Sequence, residues 1–224
     1  MEMLNVIQIP ARSGSQRIKD KNIVDVCGLP LMAYTILLAK RLKGIDHVIV
    51  NTDSEHYAAI AREFGAETPF LRPKELATST ASMQGAHEMV KDYFTAQGVA
   101  INKLIEMYVT SPFRNLQTIQ GYVDELDWRA GLTTCHHMDI RMLEMQITQK
   151  GETHPISMDH RAAESSFVKP IGTFLASSRG REAGDRFVLI KNPFELIDID
   201  TEQDLSLMQD VVAAGLYDFG TQMI

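Results

Sequence analysis

The sequence predicts an α/β protein built on a mainly parallel, doubly wound sheet with helices on both faces. Two observations predict this fold class. Short β-branched apolar runs alternate with helix-like segments through the first half of the chain, and no internal repeat or flexible linker interrupts them. The 224 residues, of which 45% are apolar, are enough to bury one large core. We therefore expect a single domain over residues 1–224.

The first elements follow in a regular order. The run LNVIQIP predicts a buried strand over roughly Asn5 to Ile9, and LPLMAYTILLAKRLKG has the apolar spacing of a helix. DHVIVNTD predicts a second strand. The helix expected in SEHYAAIAREFGA has Ser54 as its candidate N-cap and Gly65 as its C-terminal stop.

The second half has a weaker pattern. MQGAHEMVKDYFTAQG predicts a third helix and KLIEMYVTSPF a third strand. GLTTCHHM, MLEMQITQKG, GTFLAS and RFVLIKNPFELIDID resemble strands, and TEQDLSLMQDVVAAGL is a final helix. We expect the segment 133–173 to leave the core and form a homodimer, because its apolar residues need cover. Those residues are Met142, Leu143, Met145 and Ile147. An ordinary surface excursion is the alternative.

Charge and cysteine content exclude several classes of protein. A net charge of −7 argues against a protein that coats nucleic acid, because such proteins carry a basic surface. Cys27 and Cys135 have no metal-binding or redox spacing, so two free thiols are expected. The sequence shows no signal peptide and no run long enough to cross a membrane. We expect a cytoplasmic protein with neither a nucleic-acid nor a membrane partner.

The stretch ARSGSQRIKDKN is a local basic exception that directly follows the first strand. Its cationic residues, spaced by small ones, are Arg12, Arg17, Lys19 and Lys21. Ligands of parallel sheets bind at the carboxyl ends of strands, and small residues let backbone N–H groups approach an anion. Neither a P-loop nor a dinucleotide-binding pattern is present. The stretch therefore favours a small anionic ligand such as a phosphate, with a solvated loop as the alternative.

An acidic pair lies near the C-terminal end, in ELIDIDTEQDL. Asp198 and Asp200 are two residues apart, so in an extended chain both carboxylates point to one face. They would repel each other unless a cation joined them, and hard oxygen ligands suit Mg²⁺. The alternative is that Asp200 or Thr201 caps the last helix, since Thr201 and Asp204 have capping-box spacing.

Two further stretches are candidates for ligand contact. Asn51 and Asp53 stand at the end of the second predicted strand, where Asp53 or Ser54 is expected first of all to cap the next helix. The loop FLRPKELATSTAS could wrap a nucleobase with backbone hydrogen bonds.

Together these stretches resemble the acylneuraminate cytidylyltransferase family, the CMP-sialic acid synthetases and their relatives. The resemblance rests on IPARSGSQRIKDKNI, GLPLMAYTI, VIVNTDSE, AREFGAETPFLRPKELATSTAS, TSPFR and IDIDTEQDL, in this order. It covers most of residues 4–125 and the segment 187–212. It implies a three-layer, Rossmann-like nucleotidyltransferase fold with a mainly parallel mixed sheet and a small dimerisation insertion that also serves sugar binding.

The resemblance also implies roles for individual residues. The nucleotide-binding positions fall on Arg12, Ser15, Arg17, Lys21, Asn22, Arg72, Ala81 and Ser82. Asp198 and Asp200 fall on the pair that binds Mg²⁺, the expected cofactor. Lys21 and Arg12 would act with that pair in catalysis, by taking up negative charge on the leaving group.

The sequence departs from the family pattern at three places. Ser15-Gln16-Arg17 replaces a common Ser-Lys-Gly, so Arg17 would take the place of a phosphate-facing lysine. Tyr108 and Val109 replace a Gln-Pro that faces the sugar, which resembles the pseudaminic acid branch. Lys169 stands where an arginine is usual, and it would meet the sugar carboxylate as a point charge. Tyr108 and Lys169 are therefore the candidate sugar-binding residues.

The activity that the resemblance implies is transfer of CMP from CTP to the anomeric 2-hydroxyl of a nonulosonic acid, with release of pyrophosphate. The expected partners are CTP and a 2-keto-3-deoxy sugar acid. Two alternatives stay open at this point. One is a 3-deoxy-octulosonate cytidylyltransferase or another sugar nucleotidyltransferase, and the other is a non-catalytic nucleotide-binding homologue.

Overall fold

The computed structural model describes residues 3–77, 83–138, 146–149, 152–155, 167–181 and 183–223. The strands among these residues are β1 (Met3–Pro10), β2 (Asp25–Val26), β3 (Leu29–Pro30), β4 (His47–Asn51), β5 (Ala100–Glu106), β6 (Gly131–Met138), β7 (Gln146–Gln149), β8 (Glu152–Pro155), β9 (Phe167–Ser178) and β10 (Arg186–Leu189). The α-helices are α1 (Leu31–Ala39), α2 (Glu55–Glu63), α3 (Met83–Thr95), α4 (Leu116–Glu125) and α5 (Glu202–Ala213). Short 3₁₀ turns cover Lys21–Ile23, Lys74–Leu76 and Phe194–Leu196.

A six-stranded mixed sheet organises the chain in the order β10-β6-β9-β5-β1-β4. β1 pairs in parallel with both β4 and β5, and β10 pairs in parallel with β6. β9 runs antiparallel between β5 and β6. The predicted mainly parallel mixed sheet is confirmed, and the carboxyl ends of β1, β4 and β5 lie together at one edge.

Helices cover both faces of the sheet. Ile7 and Ile9 of β1 pack in one apolar cluster with residues of α1, α2, α4 and α5. Val6 and Leu104 belong to a second cluster, which Val90 and Phe94 of α3 complete. The alternation of β1 residues between the two clusters follows from the two-residue period of a strand. The arrangement is the predicted three-layer α/β architecture.

The local signals read from the sequence are mostly borne out. β1 contains the predicted span, and Ser54 caps α2 by accepting a hydrogen bond from the Tyr57 N–H. Gly65 ends α2 with a φ of 88°, a left-handed conformation that glycine adopts without strain. Thr201 and Asp204 form the capping box of α5.

The prediction that RFVLIKNPFELIDID continues as a strand to the acidic pair is wrong. β10 ends at Leu189, and a 3₁₀ turn at Phe194–Leu196 follows Pro193. Because Pro193 has no N–H for a ladder and fixes its own φ, the strand does not resume there. The backbone then extends without a strand partner, and the Ile199 N–H donates to the Thr110 carbonyl instead.

The part of the segment 133–173 that leaves the main sheet is shorter in the structure than predicted. β6 and β9 take up both of its ends and are inner strands of the main sheet. Of the described residues between them, β7 and β8 form a separate antiparallel pair. Met142, Leu143 and Met145 lie outside the described residues. Within the part of the chain that is described, no helix is long and apolar enough to span a membrane. Cys27 is exposed and Cys135 is buried, and both are free thiols.

Candidate functional site

Two adjoining cavities open at the carboxyl end of β1. The first, the Tyr108 cavity, has a volume of about 220 Å³ and is lined by Pro10, Arg12, Ser15, Lys21, Asn22, Arg72, Tyr108, Val109 and Thr110. The second, the Arg17 cavity, has a volume of about 250 Å³ and is lined by Arg12, Ser15, Gln16, Arg17, Ile18, Lys21 and Asp200. Arg12, Ser15 and Lys21 line both. The structure thus brings together most of the site residues predicted from separate parts of the sequence.

Hydrogen bonds that involve the side chains of Asp53 and Asn22 fix the conformation of the basic turn. Asp53 accepts hydrogen bonds from the Ser13 backbone N–H at 2.6 Å and from the Ser13 hydroxyl at 2.7 Å. Gly14 then takes a φ of 73°, and the Asn22 side-chain amide donates to the Arg12 carbonyl at 2.8 Å. Either Asp53 or Ser54 was predicted to cap the helix that follows. Ser54 makes that cap, which leaves the Asp53 carboxylate to fix the turn.

Lys21 joins the basic turn to the acidic segment. Its Nζ donates to the Ile199 carbonyl at 2.7 Å and to Asp200 Oδ1 at 2.8 Å, and its side chain is only 13% exposed. Arg17 lies 3.5 Å from the other Asp200 oxygen, with 70% of its side chain exposed. Lys21 is therefore the fixed cation of this site, and Arg17 is an exposed surface charge.

The acidic pair lies in the segment between the 3₁₀ turn and α5, not on a strand. Asp198 and Asp200 are exposed on either side of the buried Ile199, as in an extended chain. Since Thr201 caps α5, the Asp200 carboxylate is not used as the cap. The described residues contain no group of three or more His, Cys, Asp or Glu side chains that could hold a metal. Two carboxylates nevertheless fit Mg²⁺, which takes its remaining ligands from water and substrate phosphates.

Arg72 is anchored at the wall of the Tyr108 cavity. Its Nε donates to Asn51 Oδ1 at 2.9 Å and its Nη2 donates to the Asn51 carbonyl at 2.7 Å. The Asn51 amide in turn donates to the Ala86 carbonyl of α3. Burial lowers the pKa of Arg72, while the nearby charges of Asp53 and Glu106 act in the opposite direction. The guanidinium is thus a rigid cation that faces the cavity. Ala81 and Ser82, the other residues predicted to read the nucleoside, lie outside the described residues.

Tyr108 lies against β9. Its N–H donates to the Gly172 carbonyl at 2.8 Å, and a Cβ atom added to Gly172 would lie 2.3 Å from the Tyr108 ring. Arg114 secures the same contact, because its Nη2 donates to the carbonyls of both Tyr108 and Gly172. Arg114 is 1% exposed and also donates to Thr173 and Thr35. Burial lowers the pKa of Arg114, and the nearby carboxylates of Glu195 and Asp198 counteract this effect.

A buried polar cluster that was not predicted from the sequence is centred on Glu106. Glu106, at the end of β5, is 4% exposed and accepts a hydrogen bond from Gln8 Nε2 at 2.9 Å. His87 Nε2 of α3 contacts the same carboxylate oxygen. Burial, followed by the charge and a hydrogen bond of Glu106, raises the pKa of Tyr108. The signal in the sequence was an acidic residue within the apolar run KLIEM.

Lys169, the second predicted sugar-binding residue, is not brought to these cavities. It is exposed on β9, opposite His136 of β6, and it lines neither the Tyr108 cavity nor the Arg17 cavity. Its neighbour in the same strand, Gly172, is the residue that contacts Tyr108.

Comparisons with known proteins identify the family of this chain. Residues 6–141 match the family described as Cytidylyltransferase. The chain is 38% identical over 117 residues to a pseudaminic acid cytidylyltransferase of Campylobacter jejuni subsp. jejuni, which is 50% of this chain and 49% of that protein. It is 36% identical over 118 residues to a CMP-N,N'-diacetyllegionaminic acid synthase of Legionella pneumophila, which is 52% of this chain and 50% of that protein. The matched part of the chain thus spans about half the length of these relatives.

Among solved structures, the fold resembles that of a CMP:2-keto-3-deoxy-manno-octonic acid synthetase complexed with CTP. The TM-score is 0.67, and the superposition covers 95% of this chain and 99% of the other. Because only 16% of the residues are identical, this likeness bears on the fold alone. It extends beyond residue 141, where the family match ends.

Proposed function

Because this chain belongs to the cytidylyltransferase family, we propose that it transfers CMP from CTP to the anomeric 2-hydroxyl of a nonulosonic, sialic-acid-like sugar acid. Pyrophosphate is the second product. The two relatives described above are named for pseudaminic acid and diacetyllegionaminic acid. Both compounds are nonulosonic acids. The observation that carries the proposal is the junction of the basic turn with the acidic pair through Lys21.

The cavity residues support a division of labour over the two substrates. Arg12, Ser15 and Lys21 line both cavities, so a triphosphate on the basic turn would run from one into the other. Arg72 would hold the nucleoside end as a buried, pre-oriented cation. Tyr108 also lines the Tyr108 cavity, and the sugar acid would approach the α-phosphorus beside it.

Little covalent chemistry is required of the protein in this reaction. The sugar hydroxyl attacks the α-phosphorus in line with the departing pyrophosphate, so orientation and charge stabilisation supply most of the rate. Lys21 and Arg12 would stabilise the negative charge that develops on the leaving group. Asp53 contributes by fixing the turn that presents these donors, since it holds Ser13 by two hydrogen bonds.

Asp198 and Asp200 would hold Mg²⁺ together with the CTP phosphates. Mg²⁺ bound there would neutralise phosphate charge and favour the ionised form of the attacking hydroxyl. Lys21 already contacts Asp200, so the same carboxylate would orient both the metal and the lysine. This arrangement accounts for two exposed carboxylates two residues apart, which helix capping does not, because Thr201 makes the cap.

The proposal extends to assembly and location. We propose a homodimer in which the excursion between β6 and β9 contacts the partner subunit, because the β7–β8 pair leaves the main sheet. Sedimentation at micromolar concentration tests this, and a pure monomer would contradict it. A cytoplasmic location is also part of the proposal, since CTP is a cytoplasmic metabolite.

Pyrophosphate release measured over a two-way panel tests the activity. CTP, UTP and ATP are each combined with pseudaminic, legionaminic, N-acetylneuraminic and 3-deoxy-octulosonic acids in the presence of Mg²⁺. The proposal predicts release that requires CTP and is fastest with a nonulosonic acid. Release that is fastest with 3-deoxy-octulosonate, or with another nucleotide, would move the protein to a different sugar nucleotidyltransferase class. No release with any pair would favour a binding protein.

A further inference from the structure

An aspartate stands in the middle of the basic turn, between two lysines. Asp20 lies between Lys19 and Lys21 in the stretch RIKDKN. The chemistry proposed above gives Asp20 no role, and by its charge alone it would repel a phosphate bound to the turn. The contacts of its carboxylate therefore have to explain its place in an anion-binding turn.

The Asp20 carboxylate is bound by a residue of α2. The phenol of Tyr57 donates a hydrogen bond to Asp20 Oδ1 at 3.0 Å. The Tyr57 side chain is fixed, because it is buried in the main apolar cluster, whereas Asp20 is exposed. Burial, followed by the hydrogen bond to Asp20, raises the pKa of Tyr57, so the phenol keeps its proton and acts as the donor.

We infer that Tyr57 and Asp20 are positioning residues that fix the end of the basic turn and thereby direct Lys21 at the triphosphate. The inference rests on the proposed function, because it assigns a role in the binding of CTP. Lys21 itself would touch the phosphates, whereas Tyr57 and Asp20 act only through it.

The first support is the backbone conformation of Asp20. Its φ of 51° and ψ of 36° are left-handed, a conformation that is unfavourable for residues with a Cβ atom but that Asp and Asn tolerate best. The Ile23 N–H donates to the Asp20 carbonyl at 2.9 Å and closes the 3₁₀ turn that begins at Lys21. Asp20 thus sets the direction of the chain directly before Lys21, and the hydrogen bond from Tyr57 stabilises this conformation.

The second support is that the start of α2 holds both ends of the basic turn. Asp53, which precedes the helix, binds Ser13, and Tyr57, in the first helical turn, binds Asp20. Both contacts come from a well-defined helix start, because Ser54 caps the helix at the Tyr57 N–H. Two attachments to one rigid element preorganise the turn, which lowers the entropy cost of binding an anion there.

The third support is that Lys21 has little room to compensate for a change in the backbone. Its side chain is only 13% exposed, and its Nζ is held by the Ile199 carbonyl and by Asp200. A shift of the chain at Asp20 would therefore move the ammonium group away from the place where it lines both cavities.

The affinity for CTP tests the inference by the direction of its change. If Asp20 acted only through its charge, Asp20→Ala would remove a repulsion and tighten CTP binding. The positioning role predicts the reverse, with the calorimetric Kd of CTP raised about tenfold in Asp20→Ala and about fivefold in Tyr57→Phe. Tighter binding by Asp20→Ala, or parent-like binding by Tyr57→Phe, would overturn the inference.

The conservative variant Asp20→Asn should rescue the affinity. Asparagine keeps an acceptor for the Tyr57 phenol and tolerates the left-handed conformation, so the Kd of CTP should stay within about threefold of the parent. An Asp20→Asn variant that binds CTP as weakly as Asp20→Ala would contradict the positioning role.

A double variant and a matched control complete the measurement. Tyr57→Phe combined with Asp20→Ala should bind CTP no more weakly than Asp20→Ala alone, because both changes break one contact, and multiplicative effects would overturn the inference. Tyr34→Phe is the control, since Tyr34 is also buried and donates to a backbone carbonyl, that of Val26, but lines neither cavity. It should leave the Kd of CTP unchanged. A loss of affinity in Tyr34→Phe equal to that in Tyr57→Phe would mean a general effect on stability and would contradict the inference.

A readout without nucleotide separates this inference from the proposed function. Protein labelled with ¹³C at lysine Cε gives a Lys21 resonance, which the Lys21→Arg variant identifies by its loss. We expect Tyr57→Phe and Asp20→Ala to shift this resonance and Tyr34→Phe to leave it in place. A resonance that neither variant moves overturns the positioning role even if the enzyme is active. A resonance that moves in a protein without affinity for CTP would support the positioning of Lys21 while the proposed function fails.

Discussion

Lys21 and Asp200, 179 positions apart in sequence, form an ion pair at 2.8 Å in which the lysine side chain is 13% exposed. The pair ties the turn after the first strand to the segment before the last helix. Both elements belong to the candidate site, and neither would be placed correctly if the sheet between them formed in another order. The contact therefore links the fold of the whole chain to the geometry of the site.

Replacement of Lys21 by alanine should weaken CTP binding ten- to a hundredfold. The reason is the loss of one charge-assisted phosphate contact, worth about 1.5–3 kcal/mol. Calorimetric titration with CTP measures the change. Lys19→Ala is the matched control, because Lys19 lies in the same turn but is exposed and lines neither cavity. Equal CTP affinity in the parent and Lys21→Ala would mean that the turn has been assigned wrongly.

Asp198→Asn and Asp200→Asn should each reduce Mg²⁺-dependent turnover by two or more orders of magnitude. Each variant keeps the shape and removes one charge, and a metal contributes several kcal/mol to charge stabilisation. The melting temperature should change little, because Asp198 is exposed and the Asp200 ion pair is half exposed, worth about 0.2–1 kcal/mol.

The control for these two variants is Asp210→Asn, a change to an exposed aspartate in α5. Rates measured against Mg²⁺ concentration decide the outcome. Turnover close to that of the parent in both variants, with an unaltered Mg²⁺ dependence, would remove the metal from this site.

Replacement of Gly172 by alanine should displace the Tyr108 ring and reduce turnover at least tenfold. The added Cβ would lie 2.3 Å from the ring, and Arg114 prevents the backbone from moving away because it binds the Gly172 carbonyl. Gly121→Ala is the control, since nothing lies within 4 Å of its new Cβ in α4. That control should gain up to about 1 kcal/mol of stability. An active Gly172→Ala with a parent-like sugar KM would show that Tyr108 does not need this contact.

Acid should destabilise the protein partly through Glu125. Hydrogen bonds from Arg186 and Arg129 lower the pKa of Glu125 in the folded chain. A lowered folded pKa stabilises the protein above the unfolded value, near 4.5, and this stability is lost as the pH falls through the folded value. Glu125→Gln should therefore cost about 1 kcal/mol at pH 7 and less at pH 3. Denaturant melts at both pH values test this, and a difference independent of pH would contradict it.

Much of the fold followed from local patterns. The strand around Ile7, the cap at Ser54 and the capping box at Thr201 are short-range signals, and the structure contains all three. The strand predicted through Asp198 failed because an isolated extended chain has the same apolar alternation as a strand. Only the absence of a hydrogen-bonding partner, which a sequence does not display, separates the two.

The sequence predicted the charged site residues at the ends of elements but not the buried ones. Lys21, Arg12 and Asp200 stand out as charges at the ends of elements, and they meet in the structure. Glu106 and Arg114 each make buried contacts to residues distant in the chain, such as Gln8 and Gly172. Their roles depend on which strands become neighbours, and no local pattern specifies that. Lys169, predicted to meet the sugar, lies exposed on β9 outside both cavities, and this position depends on the pairing of β9 with β6.

Identification of the reaction product tests the central claim most directly. The protein is incubated with CTP, Mg²⁺ and pseudaminic or legionaminic acid, and the product is examined by mass spectrometry and ³¹P NMR. The account predicts a single phosphodiester that joins CMP to the sugar acid, formed with one equivalent of pyrophosphate and absent in Asp198→Asn. Free CMP without a sugar conjugate, or a diphosphate-linked product, would contradict it.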